Sequence, residues 1–84
     1  MSFSIKIKTS AAKSLGRIPQ PERSRVIEAI DRLAAEPYAG GVLKGEFSGL
    51  RRLRVGQYRV VYEVEGKQLT VLVVRIGHRR EVYR

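Results

Sequence analysis

Arginine is the residue type with the most evident chemical use in this chain, and it is concentrated towards the C-terminus. Residues 50–62 read LRRLRVGQYRVVY and residues 76–84 read IGHRREVYR. A guanidinium group stays charged at physiological pH and binds phosphate through two parallel hydrogen bonds. These segments therefore predict a surface that binds the phosphates of nucleic acid. The same excess of positive charge would attract an acidic protein.

The spacing of the arginines suggests how they are brought together. Residues 56–57, Gly-Gln, separate two runs of alternating apolar and polar residues, which predicts a β-hairpin with a two-residue turn. In that register Arg54 lies across from Arg59 on one face, with Arg52 two residues further along. Like charges in this position destabilise a sheet by up to about 1 kcal/mol, so a bound polyanion would explain them. The alternative is a solvated basic face whose long side chains splay apart.

Length and composition predict a small, basic, single-domain protein. The chain has 84 residues, of which 43% are hydrophobic, so we expect one domain over residues 1–84 with a thin core. Seventeen Lys and Arg residues against eight Asp and Glu residues give a net charge of +9. Residues 1–42 hold seven basic and four acidic groups, whereas residues 43–84 hold ten and four. The excess is therefore largest in the half that carries the arginine segments.

Several kinds of chemistry are disfavoured by composition. The chain has no cysteine, and His78 and Asp31 are the only residues of their types. Thiolate sites and disulfides are excluded, a zinc site lacks ligands, and a Ser-His-Asp triad is improbable. We therefore expect neither a metal nor a cofactor. No run approaches the about 18 apolar residues of a membrane span, and the N-terminus lacks a signal-peptide pattern, so we expect a cytoplasmic protein without membrane contact.

The first half of the chain predicts one strand and two helices. Residues 2–8 alternate with period two, which predicts a strand with Phe3, Ile5 and Ile7 turned inward. A short helix over 11–15 should follow, capped by Thr9 or Ser10 and ending near Gly16. Apolar residues at three- and four-residue spacings predict a second helix over 21–35.

The second half predicts a glycine-rich loop over 37–49 and then strands at about 50–55, 58–64 and 68–76. The last strand is almost continuously apolar, so we expect it to be central. The predicted fold is α+β, with the order β-α-α-β-β-β and a helical pair on one face of a small, mainly antiparallel sheet. Tyr58 and Tyr62 should pack under the helices. The arginines of the hairpin should lie on the open face, with the tail after Gly77 returning along the edge.

This pattern resembles the RelE/ParE toxin superfamily. The resemblance rests on the element order, the Leu-Lys-Gly motif at 43–45, the hairpin over 52–64 and the tail over 76–83. The tail is more similar to the RelE branch. The resemblance implies a toxin of a type II toxin-antitoxin system: a ribosome-dependent endoribonuclease that cleaves messenger RNA in the A site. It also implies an acidic, RelB-like antitoxin that silences the toxin in a hetero-oligomer.

The resemblance also implies residue roles. Arg52 and Arg54 match two basic positions of the family's second strand, which are lysines in the archetype. Arg59 matches an arginine thought to stabilise the transition-state phosphate. Arg79 matches a residue assigned as general acid, and Tyr83 matches a tyrosine that stacks on the nucleotide at the scissile bond.

The chemistry of RNA cleavage agrees with most of these roles. Without a metal, the 2′-hydroxyl attacks its own phosphate, and a protein need only orient it, move protons and neutralise charge. A guanidinium is a poor base, so Arg54 cannot replace a catalytic lysine in proton transfer. Imidazole, with an ordinary pKa of about 6.5, makes His78 the candidate base, or else a phosphate contact at a strand end. Alternatively Arg54 acts electrostatically without a strong base. Arg80 and Arg84 are further candidates for binding the RNA backbone.

Two other functions remain open from the sequence. A ParE-like protein would poison DNA gyrase by binding and would need no arginines converging on one phosphate. A catalytically weak relative would bind only nucleic acid or antitoxin, which the missing lysine leaves possible.

Overall fold

The computed structural model describes residues 2–82, so Tyr83 and Arg84 lie outside the described residues. Within that range the elements are β1 (Ser4–Ile7), α1 (Thr9–Gly16), α2 (Glu22–Arg32), β2 (Gly41–Val42), a 3-10 turn (Gly45–Phe47), β3 (Arg51–Val55), β4 (Tyr58–Glu65) and β5 (Thr70–His78). The predicted order is confirmed. The loop prediction was wrong in part, because the loop contributes the two-residue strand β2 and the 3-10 turn. Neither helix in the described range is long and apolar enough to cross a membrane.

The strands form one sheet in the order β1-β5-β4-β3-β2. β1 pairs with β5 in parallel, and the other neighbours are antiparallel. β5 lies between β1 and β4, as its apolar run predicted. It begins at Thr70 instead of 68, because a turn occupies 66–69, where Leu69 has a φ of 50° and the amide of Gln68 bonds the carbonyl of Glu65.

Both helices pack on one face of the sheet. The core contains Ala11, Ile18, Val26, Ile30 and Leu33 from the helical layer, and Val60, Tyr62, Val71, Val73 and Ile76 from the sheet. Phe3 and Ile5 pack against it as predicted. Ile7 aligns with the core residue Val73 and so lies on the predicted face, but at the end of this edge strand it remains 37% exposed.

The helix boundaries differ slightly from the prediction. Lys8 occupies the N-cap of α1 without a side-chain cap bond, so Thr9 and Ser10 lie in the helix and the predicted cap was wrong. α2 ends at Arg32 instead of 35. Its continuation tightens into bonds of the i to i−3 type, from the amides of residues 33–35 to the carbonyls of residues 30–32.

A β-bulge in β5 decides which side chains reach each face. Val61 pairs with Arg75 and Tyr62 with Val73, which leaves Val74 as an extra residue. An extra residue reverses the alternation of everything beyond it. Ile76 therefore joins the core, whereas Arg75 turns to the face opposite the helices.

Candidate nucleic-acid interface

The β3–β4 hairpin has the predicted register. Arg54 pairs with Arg59 and Val55 with Tyr58 across the turn at 56–57. Gly56 has a φ of 58°, a left-handed conformation that suits glycine and belongs to the first position of a type II′ turn. A two-residue loop is closed by a hydrogen-bonded pair, so Arg54 and Arg59 form the next, non-hydrogen-bonded pair. In such pairs the Cα atoms are about 4.5 Å apart and the side chains are closest.

Among the described strand residues, four arginines lie in two rows on the face opposite the helices. The pairings align Arg54, Arg59 and Gly77 in one row, and Arg52, Val61 and Arg75 in the next. Below we call the surface formed by Arg52, Arg54, Arg59 and Arg75 the arginine face. Arg54 and Arg75 are exposed, whereas Arg52 and Arg59 are half-buried. Glu63, the next residue of β4 on this face, lies one row further from the turn.

Arg59 also holds the hairpin turn. Its Nη1 nitrogen donates to the carbonyl oxygens of Gly56 at 3.0 Å and Tyr58 at 2.9 Å. These bonds fix the guanidinium group beside the turn, where the side chain of Arg54 also projects. The residue therefore orders the local backbone in addition to contributing charge.

The tail passes close to the same turn. The amide of Arg79 donates to the carbonyl of Gln57 at 2.7 Å, which extends the pairing of β5 beyond His78. The chain then reverses, because the amides of Glu81 and Val82 both donate to the carbonyl of His78. Val82 is 2% exposed. A Cβ atom built on Gly77 would lie 3.6 Å from a Val82 methyl group, so the tail returns onto the row that contains Gly77.

Besides the core under the helices, the sheet makes a smaller apolar contact on the arginine face. Val61 projects away from the helices yet is 3% exposed. It lines a cavity of about 260 Å³ with Phe47, Leu50, Val74 and Val82. The 3-10 turn and the tail therefore cover the centre of this face and leave arginines around it.

His78 lies on the other side of the sheet. It pairs with Tyr58, and the two rings make an edge contact with centroids 5.9 Å apart. Its Nδ1 atom accepts the amide of Arg80 at 3.3 Å. The ring lines a cavity of about 350 Å³ against α1, together with Arg17 and Glu81. The bulge thus separates His78 from the side chains of the arginine face, and its role as a general base stays a prediction.

Arg51 was not predicted to be distinct from its neighbours. It pairs with Tyr62, on the helix-covered face. Its guanidinium carbon lies 5.0 Å from the centroid of the Tyr38 ring, and its Nη1 donates to the carbonyl of Gly40 at 2.8 Å. Through this cation–π contact and these hydrogen bonds to backbone carbonyls, Arg51 holds the loop before β2 in place. The one feature of the sequence that relates to this role is the aromatic residue Tyr38, which is distant from Arg51 in sequence but close in the fold.

Tyr62 is a packing residue, as predicted. It is fully buried, and its hydroxyl accepts the amide of Gly40 at 2.9 Å. A Cβ atom on Gly40 would lie 2.6 Å from the carbonyl oxygen of Arg52, so only glycine fits there. Burial raises the pKa of the Tyr62 phenol above its ordinary value, while the Gly40 amide and the charge of Arg51 lower it in part.

Of the residues predicted for the site, the described structure brings Arg52, Arg54 and Arg59 onto one face, with the backbone of Arg79 beside their turn. Arg79 and Arg80 are exposed. His78 is on the opposite face. Arg75 joins the arginines, although its position depended on a bulge that the sequence did not reveal.

Comparison with known proteins relates the whole chain to bacterial and archaeal toxins. The sequence model described as the ParE toxin of the type II toxin-antitoxin system parDE matches residues 5–83. The toxin RelG of Mycobacterium tuberculosis is 31% identical over 86 aligned residues, which cover 100% of this chain and 99% of RelG.

Solved structures agree with that relation. The toxin-antitoxin complex RelBE2 of Mycobacterium tuberculosis contains a chain with a TM-score of 0.87 and 28% identity, covering 94% of this chain and 100% of that one. The archaeal RelE–RelB complex of Pyrococcus horikoshii gives a TM-score of 0.78 and 31% identity, covering 98% and 100%.

Proposed function

Because this chain belongs to the ParE toxin family of type II toxin-antitoxin systems, within the RelE/ParE superfamily, we propose that it is a ribosome-dependent endoribonuclease. Its substrate is messenger RNA in the ribosomal A site. The observation that carries the proposal is the arginine face, where Arg54 and Arg59 oppose each other beside the start of the tail. A face built for stability alone would avoid that pairing.

The reaction is a metal-independent transfer at phosphorus. The RNA 2′-oxygen loses its proton and forms a bond to the adjacent phosphorus, and the bond from phosphorus to the 5′-oxygen breaks. The leaving 5′-oxygen takes a proton, so the products are a 2′,3′-cyclic phosphate and a 5′-hydroxyl. Fixed positive charge lowers the barrier most, because the phosphate gains negative charge as the 2′-oxygen attacks.

The side chains divide this work. Arg52 and Arg54 bind the phosphate from β3, and Arg59 stabilises the charge that develops in the transition state. Arg79 donates the proton to the leaving oxygen, while Tyr83 stacks on a nucleotide base, an interaction worth about 1 to 3 kcal/mol. Arg80 and Arg84 bind the RNA backbone.

Removal of the proton from the 2′-hydroxyl is the step for which the chain offers the weakest candidate residue. The imidazole of His78 is the natural acceptor by chemistry, but its Nδ1 atom already accepts an amide and its ring lies against Tyr58. We favour transfer of this proton to solvent water, with electrostatic assistance by Arg54 and no strong base from the protein. Such an enzyme depends on the ribosome to orient the hydroxyl.

A RelB-like antitoxin is the expected partner. Two similar structures are RelB–RelE complexes, and the net charge of +9 suits an acidic protein. We expect a small acidic antitoxin to be encoded beside this chain, and co-expression of the two should give a hetero-oligomer that co-purifies and arrests no growth. Failure to co-purify would contradict antitoxin control.

The direct test maps messenger cleavage on translating ribosomes that carry a defined codon in the A site. Purified chain should cut within that codon, with little cleavage of the same RNA free in solution. Intact messenger under these conditions would refute the proposal.

Gyrase inhibition is the second candidate, favoured by the match to the ParE sequence model. Supercoiling assays with DNA gyrase, run in parallel, distinguish the two functions. Accumulation of cleaved DNA with uncut messenger would establish the ParE-type activity instead.

A further inference from the structure

One arginine of the arginine face is bonded to the tail. The Nη1 nitrogen of Arg75 donates to the carbonyl oxygen of Val82 at 2.8 Å. Val82 is the last described residue, and the next residue in the chain is Tyr83. The bond therefore holds the carbonyl group of the last described residue.

The bond acts with two other restraints on the same short segment. The amide of Val82 donates to the carbonyl of His78 at 3.2 Å, and the Val82 side chain is almost fully buried beside Gly77. Its amide, side chain and carbonyl are thus each fixed, the carbonyl by Arg75. Residues 79–82 form no helix or strand that would restrain them otherwise.

We propose that Arg75 is a positioning residue, whose bond to the Val82 carbonyl fixes residues 79–82 beside the arginine face. It would act on RNA through Arg79 instead of binding the phosphate itself. This inference rests on the proposed nuclease function for its catalytic consequence, but the bond itself can be tested without RNA.

The position of Arg75 supports an indirect role. It stands in the row of Arg52 and Val61, one row away from the turn that carries Arg54 and Arg59. The bulge at Val74 is what brings it to this face. Without that extra residue the same side chain would project into the core, where an unpaired charge is strongly disfavoured.

The first experiment measures amide hydrogen exchange by NMR on Arg75→Met, which keeps an unbranched side chain but removes the charge and the donors. Exchange at Glu81 and Val82 should accelerate roughly tenfold, because the tail loses one charge-assisted hydrogen bond. Amides of Val60 and Val71 in the core should be unchanged. The control Lys67→Met removes the same charge from the far turn and should leave the tail amides unaltered.

The second experiment measures single-turnover cleavage at saturating ribosome concentration. Arg75→Met should slow cleavage by about tenfold or more, while its affinity for the ribosome changes no more than that of Lys67→Met. Arg75→Lys should restore cleavage only to the extent that it also restores slow exchange at Val82.

The outcomes separate the alternatives. Unchanged exchange at Val82 would overturn the positioning role, as would accelerated exchange with normal cleavage. Lower affinity with normal exchange, rescued by lysine, would make Arg75 a direct phosphate contact. A wild-type chain that cuts no messenger would refute the proposed function, whereas the exchange measurement would still decide whether Arg75 holds the tail.

Discussion

The two faces of β3 use arginine in opposite ways. On the helix-covered face, Arg51 is stacked on Tyr38 and bonded to the loop carbonyl of Gly40. On the arginine face, Arg54 is exposed and stands across from another arginine. Arg51 stabilises the fold through neighbours of complementary character, whereas Arg54 is placed where a like charge opposes it.

The difference shows that a cluster of arginines in sequence is not one functional unit. Arg51, Arg52 and Arg54 are nearly consecutive, yet the pleat sends them to two environments. Changes on the arginine face should therefore affect RNA cleavage more than stability, and changes on the helix-covered face should do the reverse.

Replacing Arg79 should give the largest effect. Arg79→Ala removes a charged proton donor from an exposed side chain, while its amide can still bond Gln57. Cleavage on ribosomes should fall by about 10²- to 10³-fold, and growth arrest should disappear, with an unchanged circular dichroism spectrum. Full toxicity in a folded Arg79→Ala protein would contradict the site.

Replacing Arg51 should affect stability instead. Arg51→Ala loses the contact with Tyr38 and the charge-assisted bonds to the loop, so the free energy of unfolding should fall by about 2 to 3 kcal/mol in urea titrations. Arg25→Ala, an exposed change on α2, is the control and should be nearly neutral. Cleavage by the folded fraction of Arg51→Ala should stay within about twofold; a large loss would place Arg51 in the RNA site.

Tyr62 allows a test of pH dependence on the helix-covered face. Its pKa is raised by burial, so the unfolded chain loses the phenolic proton first as the pH rises. Its contribution to stability is complete below the ordinary tyrosine pKa of about 10 and is lost as the pH rises through the folded value.

Above about pH 9, the wild-type free energy of unfolding should therefore fall more steeply than that of Tyr62→Phe, by at most about 1.4 kcal/mol per pH unit. Tyr62→Phe should also be less stable at neutral pH by about 1 to 3 kcal/mol, because the buried Gly40 amide loses its acceptor. Parallel slopes for the two proteins would contradict the shift.

His78 is the residue that most sharply tests the division between faces. Because its ring packs on Tyr58 and accepts the Arg80 amide, His78→Ala should slow cleavage by less than about tenfold, through a less ordered tail. A loss of about 10²-fold or more in single-turnover cleavage would instead identify His78 as the general base.

The smallest effect concerns the stability of Arg54→Ala. Removing one member of the opposed pair should raise the free energy of unfolding by a few tenths to about 1 kcal/mol while cleavage falls. Urea titration and the ribosome assay on the same preparation check both halves. A destabilised Arg54→Ala protein would mean that the like-charge pair is not under strain.

The local parts of the fold were predictable from the sequence. The register across the Gly56-Gln57 turn follows from a two-residue hairpin, and it correctly paired Arg54 with Arg59. The helical layer followed from the spacing of Val26, Ile30 and Leu33. These patterns are set by neighbours in sequence.

The missed parts depend on tertiary structure. The bulge at Val74 is not marked by glycine or proline, and it places Arg75 on the arginine face and His78 on the helix-covered face. The burial of Val61 requires cover from the tail and the 3-10 turn, both distant in sequence. The period-two alternation that buries Val71 and Val73 therefore does not continue to Arg75.

The strand order carries a consequence for biosynthesis. Among the described strands β5 is made after all the others but sits between β1 and β4, so β1 stays without its partner until β5 has been translated. Pairing between strands so far apart in sequence slows folding, because the entropy of closing a long loop is lost before the stabilising contacts form. The hairpin that bears Arg54 is thus complete before β5 exists, whereas the full sheet that supports the hairpin can form only after β5 has been made.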